Sequence, residues 1–159
     1  NLGIMFPMVT SENELKEILA LCDEVKAELT EQNLPFAKVE LGIMIETPAA
    51  AIISDKLAPM VDFFSVGTND LTQYVLAADR INTNAARYYD PVHPSVVKLV
   101  EMTAQAAQKW DIKVSICGES AADFESAKIY IEKGVHCLSM AQNAMLPIKQ
   151  RLLEEFSQS

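Results

Sequence analysis

Two acids stand where apolar runs end. Glu46 closes Leu41-Gly42-Ile43-Met44-Ile45, and Asp70 follows Phe63-Phe64-Ser65-Val66-Gly67-Thr68-Asn69. Each run reads as a buried strand that stops abruptly at polar residues. Two carboxylates at the ends of two strands can meet at one edge of a parallel sheet. Such oxygen donors suit Mg²⁺, which takes one or two protein carboxylates and leaves positions for substrate oxygens. Each acid alone also has a structural reading. Glu46 could cap the helix that begins at Thr47-Pro48, and Asp70 could make an Asx-type turn. As a pair they favour a metal site.

Cys117 ends a third such run, Lys113 to Cys117, just before Gly118-Glu119. A thiol there is either inert packing or an acid, base or nucleophile, and both stay open. Arg80 and Arg87 lie in a long polar stretch. A guanidinium there is either solvated or a bidentate fork for carboxylate or phosphate, and Asp79 allows a local ion pair to Arg80. Asn69 either offers its amide to a substrate oxygen or tolerates a left-handed turn. His93, Cys22 and Cys137 read as structural, and His136 has no assigned role.

The elements that must position these groups follow from periodicity. Strands are expected at Ile4–Val9, Val39–Glu46, Val61–Val66, Lys113–Cys117 and Cys137–Met140. Helices are expected from Ser11, whose pairing with Glu14 fits a capping box, and over Ala49–Leu57, Pro94–Trp110, Phe124–Lys133 and Leu146–Phe156. The helix after the first strand carries Leu15, Ile18, Leu19, Cys22, Val25 and Leu29 on one face. Between Gly67 and Pro94 the rhythm lengthens, with a short helix over about Leu71–Ala78. Its aromatic content argues for a functional loop rather than a disordered one. Five β/α units in series imply a parallel sheet with right-handed crossovers. The sheet is either doubly wound or part of a barrel, and function at the strand C-terminal ends is common to both. No glycine-rich dinucleotide turn follows the first strand.

Composition narrows the function classes. With 159 residues, 50% of them hydrophobic, the chain suits one core and a single domain over 1–159. The net charge of −9 offers no basic footprint for nucleic acid. Anionic ligands would be repelled unless local Lys or Arg groups offset that charge. No apolar run reaches the roughly 18 residues of a membrane span. Three cysteines without metal-like spacing suggest free thiols in a reducing cytoplasm. The start, Asn1-Leu2-Gly3, opens almost directly on a strand and suggests a piece of a longer protein.

Taken together, several motifs resemble one family. These are Gly42-Ile-Met-Ile-Glu46-Thr-Pro-Ala-Ala, Asp62-Phe-Phe-Ser-Val-Gly-Thr-Asn-Asp-Leu-Thr-Gln-Tyr74, Ala78-Asp-Arg80 and Cys117-Gly-Glu119. Ile4-Met-Phe-Pro-Met8 and Tyr88 to Ser95 add to them. The set is similar to the phosphoenolpyruvate-utilising enzymes, and most like the C-terminal region of enzyme I of the bacterial sugar phosphotransferase system. The resemblance implies the last five units of a (β/α)₈ TIM-type barrel. It implies Mg²⁺ on Glu46 and Asp70, substrate contacts from Asn69 and Arg80, and Cys117 as the acid that protonates C3 of enolpyruvate. It also implies a histidine acceptor in another domain, a histidine-containing phosphocarrier beyond it, and a dimer in the parent protein. Neither His93 nor His136 sits in the acceptor motif, and the family's phosphate-binding arginines belong to earlier strands. The chain is therefore expected not to turn over alone. After Cys-Gly-Glu the family usually shows a glycine two or three residues on, whereas Ser120-Ala121-Ala122-Asp123 stands here. Alternatives are a dikinase or phosphoenolpyruvate synthase, a Mg²⁺ barrel lyase acting on acyl-CoA, and a non-catalytic dimerisation module.

Overall fold

The computed structural model describes residues 2–157. Five strands form one sheet: β1 (Gly3–Phe6), β2 (Glu40–Ile45), β3 (Phe63–Gly67), β4 (Lys113–Cys117) and β5 (Cys137–Ser139). The helices are α1 (Glu12–Glu31), α2 (Pro48–Ile52), α3 (Ser54–Leu57), α4 (Thr68–Leu76), α5 (Pro94–Lys109), α6 (Phe124–Glu132) and α7 (Gln142–Phe156). All pairings are parallel, and the spatial order is the chain order, β1-β2-β3-β4-β5. A doubly wound sheet reverses its order at a switch point; a barrel does not. The sheet is therefore five consecutive units of barrel type. Right-handed crossovers between sequential neighbours put every helix on one face.

The register separates two faces. Phe6, Ile43, Phe64 and Val114 share one row, and Ile45, Val66, Ile116 and Leu138 share the next. These face the helices, and most of them are fully buried. They pack with Val96, Val100, Ala104 and Ala107 of α5, the central helix of the layer. The other face carries Met44, Ser65, Ser115 and Cys137 in one row and Gly67, Cys117 and Ser139 in the next. It is the inner face of the barrel type, and here it is polar. Lower on it, the Phe63 ring lies across Gly42, where an added Cβ would stand 2.5 Å from ring carbons.

Several boundaries differ from expectation. β1 stops at Phe6 because Pro7 cannot extend the ladder and Met8 turns left-handed, at φ 57°. The helix expected over Ala49–Leu57 is two, α2 and α3, broken at Ile53 (φ −100°, ψ 16°), where adjacent β-branched residues fit a helix poorly. α7 begins four residues earlier than expected, at Gln142, with Pro147 inside the helix. Most consequentially, α4 starts at Thr68, so β3 runs into it with no loop between. The stretch between α4 and α5 is thus 77–93, irregular apart from one 3-10 turn at Ala86–Tyr88. It is ordered by side-chain turns: Asp79, Asn82 and Asp90 accept the N–H groups of Ile81, Asn84 and Val92 at 2.9, 3.0 and 3.0 Å.

Candidate active site at the C-terminal edge of the sheet

Glu46 is the first residue beyond β2 and is only 4% exposed. It does not cap α2. Thr47 does, accepting from Ala50 N–H at 3.1 Å while donating to the Val9 carbonyl at 3.1 Å. Glu46 Oε1 instead accepts the Met8 N–H at 2.8 Å. The left-handed turn at Met8 aims that N–H across the edge, and a non-glycine residue held there marks local strain at a site. Asp70 lies in the first turn of α4, where a carboxylate is favoured by the helix dipole. The two acids meet. Burial pushes the Glu46 carboxyl above the usual carboxylate range; the Met8 N–H opposes this, and the neighbouring Asp70 carboxylate adds to it. Two neighbouring hard oxygen donors form a set that suits a divalent cation. Among the described residues no three His, Cys, Asp or Glu side chains cluster. A metal held here would therefore keep most of its coordination for water and substrate.

Gly67 leaves the room in which Glu46 lies, and the sequence reading did not single it out. A Cβ at Gly67 would strike Glu46 and Met44. Gly67 pairs in register with Cys117, so the edge reads Glu46, Gly67, Cys117 from β2 to β4. Cys117 is half-buried on the inner face. Its thiol is 3.5 Å from the Val66 carbonyl, to which it donates, and receives the Ser65 hydroxyl at 3.4 Å. Ser65 was readable from the alternation of β3, since it shares parity with Gly67.

Asn69 sits in α4 with a helical backbone, so the left-handed reading does not apply. Its Oδ1 accepts weakly from the Glu119 N–H at 3.4 Å and the Tyr89 hydroxyl at 3.5 Å, which leaves the –NH₂ end to donate elsewhere. Tyr89 also donates to the Asn69 carbonyl at 3.3 Å, and burial raises its phenol above its ordinary value. Arg80 is exposed and pairs with Glu119 at 3.7 Å, not with Asp79. That pair ties the loop after α4 to the turn after β4. Arg87 is not brought in: it lies over the Tyr88 ring at 4.7 Å. His93 is structural, capping α5 through Ser95 N–H at 3.3 Å. Cys137 is exposed on the inner face rather than packed, because β5 has no further strand beside it in this sheet.

A cavity of about 380 Å³ borders the site, lined among others by Asn69, Tyr89, Asp90, Glu119 and Ser120. Glu46, Asp70, Asn69, Cys117 and Arg80 thus gather along one edge of the sheet, from β2 to the turn after β4.

Comparison with known proteins bears on this edge. A sequence model of a family described as PEP-utilising enzyme, PEP-binding domain, matches residues 1–156. A multiphosphoryl transfer protein of Xanthomonas campestris pv. campestris is 46% identical over 95% of the chain and 17% of that protein. The phosphoenolpyruvate-protein phosphotransferase of Bacillus subtilis is 39% identical over 96% of the chain and 27% of that protein. The chain thus spans well under a third of the relatives it matches. In fold it is similar to a Haloferax volcanii malate synthase solved as a magnesium and glyoxylate complex. The TM-score is 0.65 at 15% identity, covering 95% of the chain and 44% of that protein.

Proposed function

Since the chain belongs to the PEP-utilising enzymes, as their PEP-binding domain, we propose that it binds phosphoenolpyruvate at the C-terminal edge of its sheet, in a Mg²⁺-dependent phosphotransferase. The observation that supports this reading is the nearness of Asp70 to Glu46, which lies against Gly67, in line with Cys117. Glu46 and Asp70 would hold Mg²⁺, which when bound draws charge from a phosphoryl group. Arg80 binds the substrate's anionic oxygens, and the Asn69 amide donates to another. As the P–O bond breaks, the phosphoryl group passes to a histidine of another domain and on to a phosphocarrier protein for sugar uptake. The enolpyruvate left behind takes the Cys117 thiol proton at C3, and solvent reprotonates the thiolate. The parent protein is proposed as a cytoplasmic homodimer; among the described residues no helix is long and apolar enough to cross a membrane.

The barrel-lyase alternative has only the fold likeness behind it, at 15% identity. The relatives at 39% and 46% identity favour phosphoryl transfer. Calorimetric titration of Mg²⁺ and then phosphoenolpyruvate into the chain tests the proposal. Binding is expected in the unaltered protein and lost in Glu46→Ala and Asp70→Ala. Undiminished binding in both variants removes the site from this edge.

A further inference from the structure

We propose that Ser120 is a positioning residue for Cys117, acting through Thr68 to hold the turn after β4 against the first turn of α4. The inference rests on the reading of Cys117 as the proton donor. Ser120 opens the Ser120-Ala121-Ala122-Asp123 stretch in which the expected glycine is missing, and the fold does not leave it idle. It is 6% exposed, and its Oγ lies 2.7 Å from Thr68 Oγ1. Thr68 is fully buried, and its Oγ1 donates to the Cys117 carbonyl at 3.1 Å.

The direction of these bonds follows from proton count. A carbonyl only accepts, and each hydroxyl has one proton. The Thr68 proton goes to Cys117, so the 2.7 Å contact is Ser120 donating to Thr68. The Tyr130 hydroxyl gives its one proton to the Pro91 carbonyl at 2.9 Å and lies against Ser120 Oγ at 3.4 Å. Burial pushes that phenol up to about 12, so it stays a donor. The turn itself has no slack. Gly118 is at φ 130°, and a Cβ there would stand 2.5 Å from Thr68 Oγ1. Thr68 immediately precedes Asn69 and Asp70 in α4, so one short chain of hydroxyls sets the thiol relative to the carboxylate edge. Without a hydroxyl at position 120, Thr68 loses its donor and the turn loses its second tie.

Alkylation by iodoacetamide, followed at each cysteine by mass spectrometry, tests this in the chain itself. Ser120→Ala and Thr68→Val are each expected to change the Cys117 rate about tenfold, the worth of one buried hydrogen bond. The double variant is expected to match the larger single one, because both cut the same chain. Cys22 and Cys137 rates stay unchanged, and Ser120→Thr restores most of the Cys117 rate. An unaltered Cys117 rate, additive effects, or an equal rise at Cys22 overturns the proposal, the last by showing general loosening. Solvent deuterium uptake into the methyl group of pyruvate with Mg²⁺ tests the underlying reading separately. Wild-type uptake in Cys117→Ala removes the proton-donor role, while the alkylation result still decides whether Ser120 positions the thiol.

Discussion

Gly67 lies directly against Glu46: a Cβ at Gly67 would stand 2.9 Å from both the Cβ and Oε2 of Glu46, and 2.9 Å from Met44 Sδ. Its φ of −83° is open to any residue, so the need for glycine is space, not conformation. Gly67→Ala is expected to lower stability by about 1–3 kcal/mol, the usual cost of overpacking. More specifically, it displaces the Glu46 carboxylate and weakens Mg²⁺ binding at least about tenfold. Denaturant unfolding and Mg²⁺ titration read the two effects. A variant that is destabilised yet binds Mg²⁺ normally removes Gly67 from the site.

The raised Glu46 carboxyl makes stability depend on pH. The folded chain holds its proton more tightly than the unfolded chain. Stability without metal therefore falls as pH rises from the ordinary glutamate value through the raised one. Glu46→Gln keeps an oxygen for the Met8 N–H and removes this dependence. In chelator, its unfolding midpoint is expected to be flatter across that window and at or above wild type at neutral pH. At Mg²⁺ one hundred times its Kd, wild type gains about 2.7 kcal/mol and the variant gains nothing. A Mg²⁺-induced rise in both proteins contradicts the assignment of Glu46.

Arg80 separates binding from folding. Its pair with Glu119 spans 3.7 Å between exposed side chains, and such pairs contribute about 0.5 kcal/mol or less. Arg80→Ala is expected to leave the unfolding midpoint within that margin. Phosphoenolpyruvate affinity should fall by about ten- to a hundredfold, as for a lost charge-assisted hydrogen bond. Calorimetry on the folded variant measures it, and unchanged affinity moves the anion contact elsewhere.

Asp123 caps α6, accepting the Ser126 N–H at 2.9 Å and its hydroxyl at 2.7 Å, and these bonds hold its carboxyl below the usual range. Asp123→Ala is expected to cost about 1 kcal/mol at neutral pH. A depressed folded value means the stabilisation is present above the ordinary aspartate value and is lost as pH falls through the depressed one. The difference between variant and wild type should therefore shrink in acid. A difference independent of pH points to lost packing instead.

Much of the fold was legible along the chain. Buried strands such as Phe63–Gly67 and Lys113–Cys117 announce themselves as apolar runs, and the α1 start as a capping box, because these signals are local. So did Glu46, since a carboxylate closing an apolar run is visible without its neighbours; Asp70 lies instead in the first turn of α4. Helix continuity was less legible: whether α4 begins at Thr68 or at Leu71 depends on how closely β3 leads into it.

The residue types at Glu46, Asp70 and Cys117 were set by the sequence alone, together with the alternation that puts strand ends at one edge. Only the tertiary structure decided what each group touches. Met8 reaches Glu46 across 38 positions, Ser65 reaches Cys117 across 52, and Thr68 reaches Ser120 across 52. Contacts over such separations follow from sheet register and crossover packing, which no local pattern encodes. The glycine at position 67 carried no signal of its own in the chain; in the folded molecule it leaves the space in which a carboxylate sits.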